Sequence, residues 1–125
     1  MGMLLPSEVE SKALLPALRA VIVNLLVKKY ELPQRRVAEA LGITQPAVSN
    51  YLRMVRGKMR FLSENNVVQE VAEEIAKAIV EGEKEERIRG MLQAALVRLR
   101  RERVLCIAHK TLEPVLDVDS CHICD

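Results

Sequence analysis

The chain has 125 residues, half of them hydrophobic, and carries 19 Lys and Arg against 17 Asp and Glu for a net charge of +2. That is enough apolar material for one compact core, or for a small domain with an appendage. With two Tyr, one Phe and no Trp, it lacks the stacking platforms of a single-stranded nucleic-acid surface, and its three cysteines fit a disulfide scaffold poorly.

Ala, Leu, Val, Glu, Lys and Arg dominate, which favours helices. Pro6-Ser7 opens a short first helix, expected to end near Ala13, with Glu8 and Glu10 near its positive end. Pro16 suits the first turn of a second helix running to about Tyr30. Leu14, Leu15, Leu18, Val21, Ile22, Leu25 and Leu26 recur there at helical spacing and form a broad apolar face. The apolar run from Ala20 to Val27 is interrupted by Asn24 and falls short of the roughly 18 residues of a membrane span. The N-terminus has no basic region followed by an apolar core, so a cytoplasmic location is expected. Leu32-Pro33 marks a break.

The stretch from Gln34 to Arg53 has the pattern of a helix-turn-helix. Two short helices that cross closely need a small residue at their contact, and Ala38 stands there. The turn needs a residue that accepts positive φ, and Gly42 supplies it. Thr44 can cap the second helix, and Pro46 falls in its first turn, where backbone N–H groups have no intrahelical partner. With Val37, Leu41, Ile43 and Val48 turned inward, Gln45, Ser49, Asn50 and Arg53 are left on the outer face. Amides, hydroxyls and guanidinium groups read base edges and phosphates. Between Lys28 and Arg60, eight basic side chains face two acidic ones, a local field suited to a phosphate backbone. Gln45, Ser49 and Asn50 are the candidate base readers. Arg35, Arg36, Thr44, Arg53, Arg56 and Lys58 are the candidate backbone contacts.

Arg56-Gly57-Lys58 reads as a turn, after which Ser63 is expected to cap a helix over about 64–80 with an apolar stripe of Val68, Val71, Ala72, Ile75, Ala76 and Ile79. Gly82 ends it, and a last helix follows over about 84–105. Ile88, Met91, Leu92, Ala95, Leu96 and Leu99 face inward there, and Gly90 weakens its continuity. Acidic residues dominate the first of these helices and basic ones the second. The pair therefore reads as a hairpin able to associate two chains, because useful specificity on DNA needs two half-sites. The last residues hold Cys106-x2-His109 and Cys121-x2-Cys124. Two pairs of soft ligands, each at that spacing, can converge on tetrahedral zinc or hold an iron–sulfur cluster. The alternatives are a Cys121–Cys124 or Cys106-linked disulfide, within or between chains, and cysteines without a role.

From Leu15-Pro16 through Leu32-Pro33-Gln34-Arg35-Arg36-Val37-Ala38, and from Leu41-Gly42-Ile43-Thr44-Gln45-Pro46-Ala47-Val48-Ser49-Asn50-Tyr51 to Arg56-Gly57, the chain resembles the archaeal predicted transcriptional regulators with a lambda-repressor-like (Xre-type) helix-turn-helix. The resemblance covers about the first sixty residues. It implies a dimeric, sequence-specific DNA-binding regulator with Gln45, Ser49 and Asn50 against the bases. Pro46 departs from the Ala that such families often carry there.

The expected architecture is therefore all-α: a lambda-repressor-like helix-turn-helix bundle over residues 1–61, a helical hairpin over 62–105 and a Cys/His tail over 106–125. The expected partners are double-stranded DNA and a second copy of the chain, with no membrane. A protein-interaction adaptor, antitoxin-like or associated with the transcription machinery, is the alternative, but it would need apolar anchors where Gln45, Ser49, Asn50 and Arg53 stand. Enzyme activity is not expected. No Ser–His–Asp set, phosphate-cradling glycine loop or pocketed carboxylate pair is present.

Overall fold

A computed structural model describes residues 5–55 and 60–104. Those residues are all-α, with no strand among them. The first element is a helical rod over 6–29. It comprises α1 (Pro6–Val9), a π-helical turn (Glu10–Leu14), α2 (Leu15–Asn24) and a second π-helical turn (Leu25–Lys29). The junctions keep right-handed helical dihedrals, so the rod does not break. The sequence led us to expect two helices separated near Pro16, and this is a correction. Proline lacks an N–H, and its ring crowds the carbonyl four residues back. The turn before Pro16 is wide, the Leu15 N–H donating to Glu10 O, and a widened turn gives the ring room without ending the helix.

Around the rod the apolar surface is nearly continuous: Leu14, Ala17, Leu18, Ala20, Val21, Ile22, Val23 and Leu26 are all buried. A helix that is apolar all round must be covered on more than one side. α2 is packed against both α4 (Gln45–Met54) and α6 (Asn66–Val80). The rod ends at Glu31, which takes a left-handed φ of 55°, while Leu32 N–H returns to Leu26 O at 2.9 Å.

α3 (Gln34–Leu41) starts at Pro33, whose carbonyl accepts from Arg36 N–H at 2.9 Å and Val37 N–H at 3.1 Å. Gly42 closes it with φ 64°. There the Ile43 N–H reaches Ala38 O at 3.0 Å and the Gly42 N–H reaches Glu39 O at 3.3 Å, which satisfies carbonyls otherwise left bare at a helix end.

α5 (Arg60–Ser63) is one turn long and buries Leu62 and Ser63. It lies across the boundary expected between residues 61 and 62. Ser63 was expected to cap the next helix, but Asn65 does so. Its backbone is extended, and its Oδ1 accepts from Val67 N–H at 2.9 Å and Val68 N–H at 3.2 Å. The cap is therefore two residues later than expected, because Ser63 is the last residue of α5 and is buried. α6 then buries Val68, Val71, Ala72, Ile75, Ala76 and Ala78 and ends at Gly82, φ 80°. α7 (Glu85–Arg101) runs unbroken through Gly90, with Ile88, Ala95 and Leu99 buried against α6. One hydrophobic cluster extends from Val9 to Val104, so the helix-turn-helix and the hairpin share a core.

Candidate nucleic-acid interface

α4 packs against α2 and α3, and those contacts fix which face is free. Val48 is its one fully buried side chain, while Ala47, Tyr51 and Leu52 are half-buried. Thr44 caps the helix as expected, its Oγ1 accepting from Ala47 N–H at 3.2 Å with the backbone extended at ψ 159°. Pro46 sits within the first turn, where its missing N–H costs nothing. This combination leaves Gln45, Pro46, Asn50 and Arg53 exposed on one side. A helix N-terminus facing solvent also favours anions such as phosphate.

The three candidate base readers do not stand alike. Gln45 and Asn50 are open to solvent, whereas Ser49 is half-buried and its hydroxyl donates to Gln34 Oε1 at 3.1 Å. Gln34 opens α3, so this bond ties the two motif helices together across the turn. Nothing in the spacing pointed to Gln34; the only signal was a polar residue at the start of α3. A second coupling also went unread: Arg53 Nη2 donates to Asn50 Oδ1. That bond is a one-turn pair on the helix surface, and it orients the amide so that its nitrogen is left to donate outward.

Among the candidate backbone contacts, Arg35 is exposed and lies 3.8 Å from Glu39, an open pair of small energetic weight. Arg36 is exposed and lines a shallow cleft with Leu32, Glu39, Ala40, Ile79 and Val80, between α3 and the end of α6. Of the other local bases, Lys29 pairs with Glu73, and Arg60 with Glu64 at 2.7 Å. Arg56 and Lys58 lie outside the described residues, as do the expected metal ligands Cys106, His109, Cys121 and Cys124. Among the described residues no group of three or more His, Cys, Asp or Glu is placed to hold a metal ion, and no helix is long and apolar enough to cross a membrane.

A capped short helix behind a left-handed glycine, with its polar side open, is the geometry of a DNA-reading head. Residues 13–103 match the ParB HTH domain family. The chain belongs to that family. Comparison with curated proteins and with solved structures gives no significant match. A ParB HTH domain is a helix-turn-helix DNA-binding domain, and this is what it shares with the regulators that the sequence resembles. The match begins in the rod and ends just beyond α7, so in this ParB HTH domain the family pattern takes in the hairpin as well as α3 and α4.

Proposed function

We propose that this protein is a sequence-specific, homodimeric regulator of transcription that lays α4 in the major groove of double-stranded DNA. The observation that carries the reading is the outer side of α4. Gln45, Asn50 and Arg53 are solvent-exposed on a helix that is capped at Thr44 and seated by Val48. No apolar anchor of the kind a protein-binding adaptor needs stands among them. Gln45 takes a base edge by donating and accepting together, as an amide can at adenine, and Asn50 donates to one through its free amide nitrogen. Ser49 gives its hydroxyl proton to Gln34 Oε1, so only the lone pairs of its Oγ are left to accept from DNA. Arg35, Arg36, Arg53, Arg56 and Lys58 neutralise phosphates, and Thr44 presents the helix start to the backbone. The protein acts in the cytoplasm. Cys106, His109, Cys121 and Cys124 are proposed as a zinc or iron–sulfur site that makes the tail responsive to metal or redox state. Metal analysis of anaerobically purified protein tests that part, and absence of bound metal or cluster ends it.

The reading is tested by selecting bound duplexes from a random pool and then comparing two variants by gel shift. Asn50→Ala is expected to lower discrimination at one base position by about 1–3 kcal/mol while leaving random-duplex binding intact. Arg35→Ala is expected to weaken binding to every duplex and to reduce the salt slope by about one. Identical behaviour of the two variants, or a pool that yields no consensus, overturns the assignment.

A further inference from the structure

α7 has a side that no other element covers among the described residues. Glu86, Gly90, Ala94, Val97 and Arg101 follow one another at spacings of four, four, three and four residues. At 3.6 residues per turn they lie within about 80° of each other around the helix. All five are exposed, Val97 by 46%. The arginines that flank them are engaged within the chain: Arg87 with Glu83 at 3.4 Å, Arg89 with Glu85 at 2.7 Å, and Arg98 with Glu70 at 2.9 Å and Glu102 at 2.8 Å. Glu86 and Arg101 have no ion-pair partner among the described residues, and they terminate the face with opposite charges.

Gly90 is the anomaly on this face. Glycine inside a helix is unfavourable, and here neither of its usual reasons applies. Its φ is not positive, unlike those of Gly42 and Gly82, and a side-chain carbon added to it would meet nothing within 4 Å. Among the described residues nothing calls for the missing side chain.

We propose that this face receives a second copy of the chain, the two α7 helices packing antiparallel about a two-fold axis. The charge order is self-complementary in that direction and in no parallel one. With Glu86 set against Arg101 of the partner subunit, the same register sets Gly90 against Val97 of the partner subunit. It also sets Ala94 beside Gln93 of the partner subunit. Each contact occurs twice, as an isologous interface requires. Gly90 is then the hollow that admits the exposed Val97 and lets the backbones approach. A single helix pair is a small interface, so the association is weak and gains most when both chains sit on one duplex. This inference names the surface for the dimer of the proposed function, and its test does not depend on DNA.

Sedimentation equilibrium of the full chain under reducing conditions, over a wide concentration range, measures it. The wild type is expected to show a monomer–dimer equilibrium. Gly90→Leu, which fills the hollow while favouring the helix, and Glu86→Arg are each expected to weaken dimerisation by about tenfold or more, since every substitution acts at two contacts. The swap Glu86→Arg/Arg101→Glu is expected to restore association to within about threefold of wild type, by the logic of a double-mutant cycle. Gly90→Leu should still bind a duplex carrying one half-site, which separates this interface from the reading helix. A wild type that stays monomeric, whether the face is bare or covered by residues 105–125, overturns the proposal. So does a dimer indifferent to Gly90→Leu, or a charge swap that restores nothing.

Discussion

Two glycines of this chain have opposite energetic roles, and substitution separates them. Gly42 ends α3 at φ 64° with open space around it, so the cost of a side chain there is purely one of backbone conformation. Gly42→Ala is expected to destabilise by about 1 kcal/mol, the left-handed penalty less the entropy that alanine removes from the unfolded chain. Gly90→Ala should stabilise the monomer by roughly 0.5–1 kcal/mol, because a helix interior prefers alanine. Urea melts of the two variants in dilute solution check both signs. Gly42 and the Thr44 cap were legible in the sequence because each answers to one local demand. Glu31, which takes φ 55° without being glycine, was not legible, because the left-handed helix end that the Leu32 N–H closes on Leu26 O is usually marked by glycine. The Ser49–Gln34 bond was likewise invisible, since it depends on how two helices meet rather than on either alone.

At the scale of elements, α4 is a reading helix seated on α2 and α3. Val48 is its only fully buried side chain. Removing two methyl groups from a closed site costs their transfer energy and leaves a cavity, so Val48→Ala is expected to destabilise by about 2 kcal/mol. Specific DNA binding should fall more than the loss of folded protein accounts for, because the helix loses its register against α2. Comparing a thermal melt with a titration at saturating folded protein checks this. The periodicity of the hairpin helices foretold their buried stripes, since six inward positions of α7 are buried or half-buried. The boundaries near Pro16 and Ser63 were misjudged for one reason. A proline or a serine signals a helix start only when tertiary packing does not override it, and here a π turn and a buried short helix did so.

Across the whole molecule, the end of the rod is fastened to α6 by a charged cluster. The Lys29 ammonium and the Tyr30 hydroxyl both donate to Glu73 Oε1, the latter at 2.9 Å. The hydrogen bond from Lys29 holds the Glu73 carboxyl below its ordinary 4.5, against the opposing effect of burial. The same bond raises Lys29 above 10.5, and the hydrogen bond to Glu73, followed by burial, raises Tyr30 above 10.0. The contribution of Glu73 is therefore complete above its unfolded value and lost as pH falls through the lowered one. Those of Lys29 and Tyr30 are complete below their unfolded values and lost as pH rises through the raised ones. Thermal midpoints of the wild type should be level between about pH 5 and 9 and decline on both sides, with both declines shallower in Glu73→Gln. The rod that this cluster fastens also sets an order of events during synthesis. Leu14, Leu18, Ile22 and Leu26 leave the ribosome well before α6, which packs against their helix, and at ordinary translation speeds the delay lasts seconds. For that interval the nascent chain carries an apolar helix without its packing partner, the kind of transiently exposed surface that chaperones exist to shield.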